Sequence, residues 1–342
     1  MNKQTLPTSS ASLYYRLIAL WVLNEAMIGG IIHGLHLPVS GLLVGSGAVV
    51  CISLIAWYVP QKGAILKATI IVAIFKMMLS PHAPLPAYFA VFFQGALGEL
   101  LFHRRRFFRV ACIALGMLAL LESGVQRILV LTIIYGNGFW QVVNDFFNRL
   151  TGQHELTDYS FFIIACYVMF HAFAGCLVGI WVGAIPMRIK LMHPLREEYV
   201  VKLSGEDGLV LGRRKRKKTG KKILLVCWIL LLALWAQSEF HWGDPWLPAS
   251  LALHILIRSF IIVLAWIFVI GPILTSLLNK WLQKKQSAAA TDVKAVLDIL
   301  PQTQNLISSA WKLSEVKKGF ARIKLWVRIV LAYTFTGLDA IN

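Results

Sequence analysis

The sequence has few charged residues, and it lacks the short motifs of most enzymes. Charged residues make up 15% of its 342 positions, against about a quarter in an average soluble protein. No G-x-x-x-x-G-K-[ST], H-E-x-x-H or G-x-S-x-G pattern occurs, so the signatures of P-loop ATPases, zinc proteases and serine hydrolases are missing. We therefore expect no enzymatic activity and no cofactor in this chain, and any ATP must be used by other subunits.

Cysteine is also scarce and is not arranged for chemistry. The five cysteines are Cys51, Cys112, Cys166, Cys176 and Cys227. All five lie in apolar runs without a CxxC pair and without histidine at metal-ligand spacing, so they are predicted to be core residues and not disulfides or metal ligands.

Long apolar runs are what the sequence has instead. Hydrophobic residues account for 58% of the chain, and the mean hydropathy is +0.67. A helix needs about 20 apolar residues to cross the hydrocarbon core of a bilayer. We predict eight spans, at Tyr14–Leu35, Pro38–Val59, Gly63–Leu79, Pro86–Phe102, Phe107–Tyr135, Tyr159–Ile185, Ile223–Ser238 and Pro248–Leu278. The fold class is thus an all-α polytopic membrane protein.

The positive charge lies between the runs and alternates from one connector to the next. The net charge is +18, with the largest basic cluster at Arg213–Lys218. An N-terminus inside the cell satisfies the positive-inside rule at every connector. We expect a multi-pass protein of the cell (inner) membrane with anionic lipid at this basic loop, and no nucleic acid partner, because the charges form no stripe interleaved with aromatics.

The basic loop divides the chain into a part with six spans and a part with two. The predicted boundary lies near residue 195, giving domains 1–195 and 196–342. After Lys285 the sequence becomes amphipathic and then apolar, with Lys324 and Arg328 within the apolar third. It is predicted to form a cytoplasmic or interfacial helix, with a ninth span as the alternative.

Several polar side chains lie inside predicted spans, where a charge costs about 2.5 to 3.5 kcal/mol on insertion scales. Such residues need a partner or a polar cavity. The candidates for a substrate pocket are Glu25, Gln94, Glu122, Arg127 and His171, with Trp140 as a possible aromatic lid on an outer loop. The alternative for each is a polar contact that only holds helices together.

Small residues recur at four-residue spacing on two spans. They are Ala26, Gly30 and Gly34 on the first, and Gly175, Gly179 and Gly183 on the sixth. Such faces let helices approach closely. They are interpreted as docking faces for another membrane subunit, with packing inside the bundle as the alternative.

The stretch from Trp57 to Phe102 resembles a known family. Its motif positions are Pro60, Lys62, Gly63 and Ala64, then Pro81 and Pro84, then Gln94, Gly95, Gly98, Glu99 and Phe102. This order resembles the substrate-binding (S) component of energy-coupling-factor (ECF) transporters, of the hydroxymethylpyrimidine/thiamine permease type. The resemblance extends more loosely over residues 12 to 192.

The resemblance implies a six-helix bundle that captures a vitamin-like ligand, thiamine or a pyrimidine precursor, for an ATP-driven uptake transporter. It also implies a transmembrane coupling subunit and ATPase subunits as partners. Residues 196–342 have no counterpart in a lone binding subunit, and coupling or docking is their hypothetical role.

Two other functions remain open. One is a membrane-embedded enzyme acting on lipid or prenyl substrates, with Glu99, His103 and Arg104–Arg106 holding a phosphate. The other is a membrane scaffold that recruits a cytoplasmic partner through the basic loop and the C-terminal helix.

The predicted topology can be tested by labelling single cysteines in a variant without the native five. Lys217→Cys should react with a membrane-impermeant maleimide only after cells are permeabilised, because the basic loop is predicted to be inside. Gln153→Cys, in the connector after the fifth span, should react in intact cells. The opposite pattern would contradict the topology.

Overall fold

The computed structural model describes residues 8–28, 40–80, 83–103, 107–151, 158–192, 194–201, 229, 232–233, 235–237, 239–240 and 249–335. Within these residues the regular structure is helical, and no strand occurs. The predicted seventh span, Ile223–Ser238, and the basic loop Arg213–Lys218 lie largely or wholly outside them.

Eleven longer helices are labelled here in chain order. They are α1 (Thr8–Leu23), α2 (Ser40–Tyr58), α3 (Ala64–Leu79), α4 (Leu85–Leu101), α5 (Phe108–Tyr135), α6 (Asn137–Thr151), α7 (Tyr159–Gly183), α8 (Ala249–Ala265), α9 (Gly271–Ala288), α10 (Ala290–Leu313) and α11 (Gly319–Thr334). Short π-helical turns at Asn24–Ile28 and Trp266–Ile270 follow α1 and α8.

Four helices in the described part of the chain are long and apolar enough to cross a membrane. They are Ser40–Tyr58, Phe108–Tyr135, Tyr159–Gly183 and Ser250–Ala288. The first three coincide with predicted spans, whereas the fourth continues ten residues past the predicted end at Leu278. By contrast, α3 has 16 residues and α4 has 17, somewhat short of the roughly 20 that a full crossing needs. The all-α membrane character is therefore supported, whereas the six-span count of the first half stays a prediction.

Prolines and a glycine determine where α3 and α4 begin. Gly63 precedes α3 with φ of 80°, a left-handed conformation that glycine adopts without strain. Pro84 precedes α4, and Pro86 lies in its first turn, where a missing backbone N–H breaks no helical hydrogen bond. The turn between Tyr58 and Ala64 and the turn before Leu85 thus follow from local sequence.

The chain forms two compact units. The first contains residues 1–119, 174–213 and 279–342. Its centre is α1, whose Leu17, Ile18 and Trp21 side chains are fully buried. Packed around α1 are α2 and α3 from the N-terminal half, and α10 and α11 from the C-terminal end. Residues on both sides of position 195 thus pack in one core. The different functions expected for 1–195 and 196–342 stay a prediction.

The relative direction of α1 and α3 is given by two contacts. The Tyr14 hydroxyl donates to the Ala64 carbonyl at 2.8 Å, and Lys76 pairs with Glu25. Glu25 follows Tyr14 by 11 residues, and Lys76 follows Ala64 by 12. The two helices therefore run parallel, as the alternating topology of the first and third spans requires.

The two C-terminal helices pack against one end of this bundle. The Asp292 carboxylate of α10 accepts from the Tyr15 hydroxyl at 2.7 Å and from Lys67 Nζ at 2.9 Å. At the end of α11, the Phe335 ring contacts the Tyr58 ring, with centroids 4.8 Å apart. Helix α11 has 16 residues, as many as α1 and α3, so the choice between an interfacial helix and a ninth span stays a prediction.

One contact of α9 differs from the predicted sidedness. Gln286 Nε2 lies 3.9 Å from Met78 Sδ. Met78 is in the last turn of α3, whereas Lys67 is in the first turn. The positive-inside rule places the neighbouring Lys284 and Lys285 on the same side as Lys67. The sidedness of α9 therefore stays a prediction.

The second unit contains residues 120–173 and 214–278. Here the region expected to be an outer loop is instead the amphipathic helix α6. Its polar face carries Asn144, whose Oδ1 accepts from the Ser160 backbone N–H at 2.6 Å and so caps the start of α7. The loop expectation was wrong because the apolar residues of this connector recur at helical spacing, which favours an amphipathic helix.

Arg258 of α8 lies at the end of α5. Its guanidinium is beside Gly136, which follows α5 with φ of 74°. A cation at this position faces the negative end of the helix dipole. This location explains how an arginine is accommodated in an otherwise apolar helix.

The C-terminal helices are predicted to be part of the folded core. Leu300→Ala in α10 should lower the free energy of unfolding by about 2 to 5 kcal/mol, because the side chain is completely buried. Leu297→Ala, one turn earlier and 38% exposed, is the matched control and should cost clearly less. Thermal unfolding in detergent measures both losses. Equally small losses in the two variants would contradict the prediction that α10 is part of the folded core.

Candidate functional site

The first unit buries one pair of opposite charges. Lys76 Nζ of α3 lies 2.5 Å from Glu25 Oε2, in the π-helical turn after α1. Glu25 and Lys76 are 7% and 5% exposed, and no other charged residue in the described ranges is buried to this degree. Each charge compensates for the desolvation of the other.

The π-helical turn is held against α2. Asn24 Nδ2 donates to the Val44 carbonyl at 2.8 Å, and a Cβ at Gly47 would overlap the Asn24 amide. Glycine at position 47 therefore allows the close approach that presents Glu25 to Lys76. Single π-helical turns within longer helices are frequent at functional sites.

The buried polar atoms of this unit that have no hydrogen-bond partner among the described residues include Nε1 of Trp21 and Oε1 of Gln94. Trp21 precedes Glu25 by one helical turn, and Gln94 adjoins Gly95, where a Cβ would overlap Thr69 of α3. Thr69 and Lys76 are two turns apart, about 10 Å along the helix. A buried donor or acceptor without a partner costs about 1 to 3 kcal/mol, so a ligand or water is expected at such atoms.

Glu99 has a structural role that the sequence did not reveal. Its carboxylate accepts from the backbone N–H of Gly63 at 2.6 Å and of Leu66 at 3.4 Å. These are free donors at the start of α3, which a carboxylate stabilises. The two halves of the motif thus meet through Glu99 and the Gly63 turn.

Beside this turn lies a cavity of about 350 Å³, open to the surface. It is lined by Val59, Pro60, Lys62, Phe102 and His103 together with Glu99. The phosphate-holding alternative named Glu99 and His103, and the structure does place both at one cavity. Arg104–Arg106 lie outside the described residues.

In the second unit, Glu122 and His171 occupy the interior of the helical packing. Both carboxylate oxygens of Glu122 are buried without a hydrogen-bond partner in the described residues. His171 is 2% exposed; its ring packs on Gly124, and Nδ1 lies 2.9 Å from the Tyr167 carbonyl. Trp140 Nε1 donates to Thr132 Oγ1 at 3.0 Å, which ties α6 to α5.

The predicted pocket residues thus fall into two sets. Glu25 and Gln94 belong to the first unit, whereas Glu122, Arg127, Trp140 and His171 belong to the second. Arg127 is exposed. Trp21 and the pairing of Lys76 with Glu25 were missed as site features. The signal for Lys76 was present in the sequence, since a lysine within an apolar run needs a carboxylate partner.

The small-residue faces are used for packing within the chain where they are described. Gly175 and Gly179 of α7 lie against Gly116 and Cys112 of α5, so closely that a Cβ at either glycine would overlap backbone. Gly183 is at ordinary contact distance from Arg109. Ala26 is partly exposed, and Gly30 and Gly34 lie outside the described residues. Docking of another subunit on these faces stays a prediction.

No protein-family model, curated protein or solved structure matches this chain. The candidate functions therefore depend on the site residues themselves. No group of three or more metal-ligating side chains occurs in the described ranges.

The buried pair is predicted to contribute strongly to stability as long as both partners are present. Glu25→Gln or Lys76→Met alone should lower the free energy of unfolding by about 3 to 5 kcal/mol, because either change leaves one uncompensated buried charge. The double variant should cost less than either single variant. The exposed pair of Glu315 and Arg322 supplies the control, since Glu315→Gln should cost less than about 1 kcal/mol. Additive losses in the double variant would show that the pair is not coupled.

Proposed function

We propose that this chain is the substrate-capture subunit of an ATP-driven uptake transporter of the energy-coupling-factor type, with a vitamin-like heteroaromatic ligand. The observation that carries the proposal is the buried Glu25–Lys76 ion pair. Ionisable residues inside apolar helices are costly and most often mark a ligand or ion site. The orphan atoms of Trp21 and Gln94 add hydrogen-bonding capacity that the protein itself does not use.

These groups suit a small heteroaromatic ligand. A ring can lie against an indole, and its polar atoms can bond an amide oxygen and an indole N–H. Such groups would hold a molecule through ring contacts and hydrogen bonds. This agrees with the lack of catalytic motifs.

The motif that resembles the S components also supports the proposal. Glu99 from one half of the motif caps the helix that begins at Gly63 in the other half. Gly95 and Gly98 allow α4 to approach α3 and α2 closely. The motif residues thus act together, which fits their appearance as one pattern in the sequence.

Energy for release of the ligand would come from partner subunits. The chain has no P-loop, so ATPases and a transmembrane coupling subunit are proposed partners. Because α10 and α11 pack on α1, any coupling by residues 196–342 would act directly on the first helix of the capture bundle.

A second function, a membrane-embedded enzyme acting on a phosphate-bearing lipid, is favoured by the cavity at Lys62 and His103. Its weakness is that Glu99, the carboxylate it would use, is engaged by backbone N–H groups. Gln61 lines this cavity and Gln94 does not, although Gln94 lies only five residues before Glu99, so substitutions at the two glutamines distinguish the two functions.

The test compares small molecules released by denaturing the detergent-purified wild-type protein and two glutamine variants. We expect a compound bound in about one copy per chain. Its occupancy should fall at least tenfold in Gln94→Leu, which removes the buried acceptor, and should persist in Gln61→Leu at the cavity. Loss in Gln61→Leu alone would favour the enzyme. No compound in any sample, even after incubation with thiamine and its pyrimidine precursor, would overturn the capture function.

A further inference from the structure

The buried interior of the first unit carries no net charge. Glu25 contributes one negative charge and Lys76 one positive charge, and no other charged residue among those described is less than a tenth exposed. At a separation of 2.5 Å the two groups form a direct ion pair. The interior is therefore neutral only while both partners are present.

This neutrality restricts what can bind beside the pair. A ligand with a net charge would bring a third charge into an environment of low dielectric, where it would have no counterion. To gain one, it would have to separate Lys76 from Glu25 and leave the displaced partner unpaired. A molecule with no net charge avoids both costs.

Two unpartnered buried side chains of α1 and α4 are uncharged. Trp21 Nε1 is a donor and Gln94 Oε1 is an acceptor, and both are buried without partners in the described residues. They can satisfy one acceptor and one donor of a neutral ligand. Neither can neutralise a charged one.

We propose that the Glu25–Lys76 pair is the element that sets the net charge of the ligand. The intact pair admits a net-neutral molecule with at least one hydrogen-bond donor and one acceptor. Loss of Lys76 leaves a carboxylate that selects a cation, and loss of Glu25 leaves an ammonium that selects an anion. This inference rests on the proposed capture function.

The experiment uses the full chain in four forms: wild type, Glu25→Gln, Lys76→Met and the double variant. Each purified protein is incubated at pH 7 with the same small-molecule extract of its expression host and washed. The retained compounds are then released by denaturation, identified by mass spectrometry and sorted by net charge at pH 7. A sample without protein gives the background.

We expect net-neutral compounds to be enriched at least tenfold over charged ones on the wild type and on the double variant. Lys76→Met should shift the enrichment to cations, and Glu25→Gln should shift it to anions. If only one single variant folds, it still decides, because its enrichment must shift to compounds whose sign is opposite to the charge that it retains. In every case the wild type must retain neutral compounds.

Two outcomes overturn the inference in different ways. Retention of charged compounds by the wild type, or a single variant with the same charge preference as the wild type, would refute the role of the pair but would leave the capture function supported. Retention of nothing by the wild type would remove the capture function and this inference with it.

Discussion

Inside an apolar helical core, a charge must be matched by another charge, because no water is present to solvate it. The Glu25–Lys76 pair meets this constraint, and much of the first unit serves to bring the two groups together. Gly47 lets the π-helical turn approach α2, the Tyr14–Ala64 hydrogen bond aligns α1 with α3, and the two helices then run parallel to the level of the pair. Stability and the proposed selectivity thus depend on the same contact.

The same core explains why the ends of the chain belong together. Helix α1 is apolar around most of its circumference, and a helix of that kind must be covered on several sides. Helices α2 and α3 cover part of it. Helix α10 covers another part with an apolar face, on which residues such as Val296, Leu300 and Ile307 recur at helical spacing. The C-terminal helices are therefore core elements, and any regulatory or coupling role would act through this packing.

In the second unit, the polar side chains between helices have a more varied set of partners. Trp140, Arg258 and Asn144 each connect two helices through a side chain, whereas Glu122 buries a carboxylate without a described partner. The apolar residues of α7 and α8 remain largely exposed, as expected of helices that face lipid. Arg258, which is exposed, lies at a helix end, where the helix dipole favours a cation.

The sequence by itself determined the helical class, the four long spans and the turns at Gly63 and Pro84, because length, hydropathy and backbone preferences are local properties. It also identified Glu25, Gln94, Glu122 and His171 as unusual, since a polar residue in an apolar run is visible without a structure. The helix α6 was visible in the local spacing of apolar residues, whereas the sequence did not reveal that Glu99 caps α3 or that α10 packs on α1. Those features depend on which side chain meets which partner at a distance along the chain. Only the tertiary structure decided them, because pairing energies such as that of Glu25 with Lys76 exist only once the helices have been brought together.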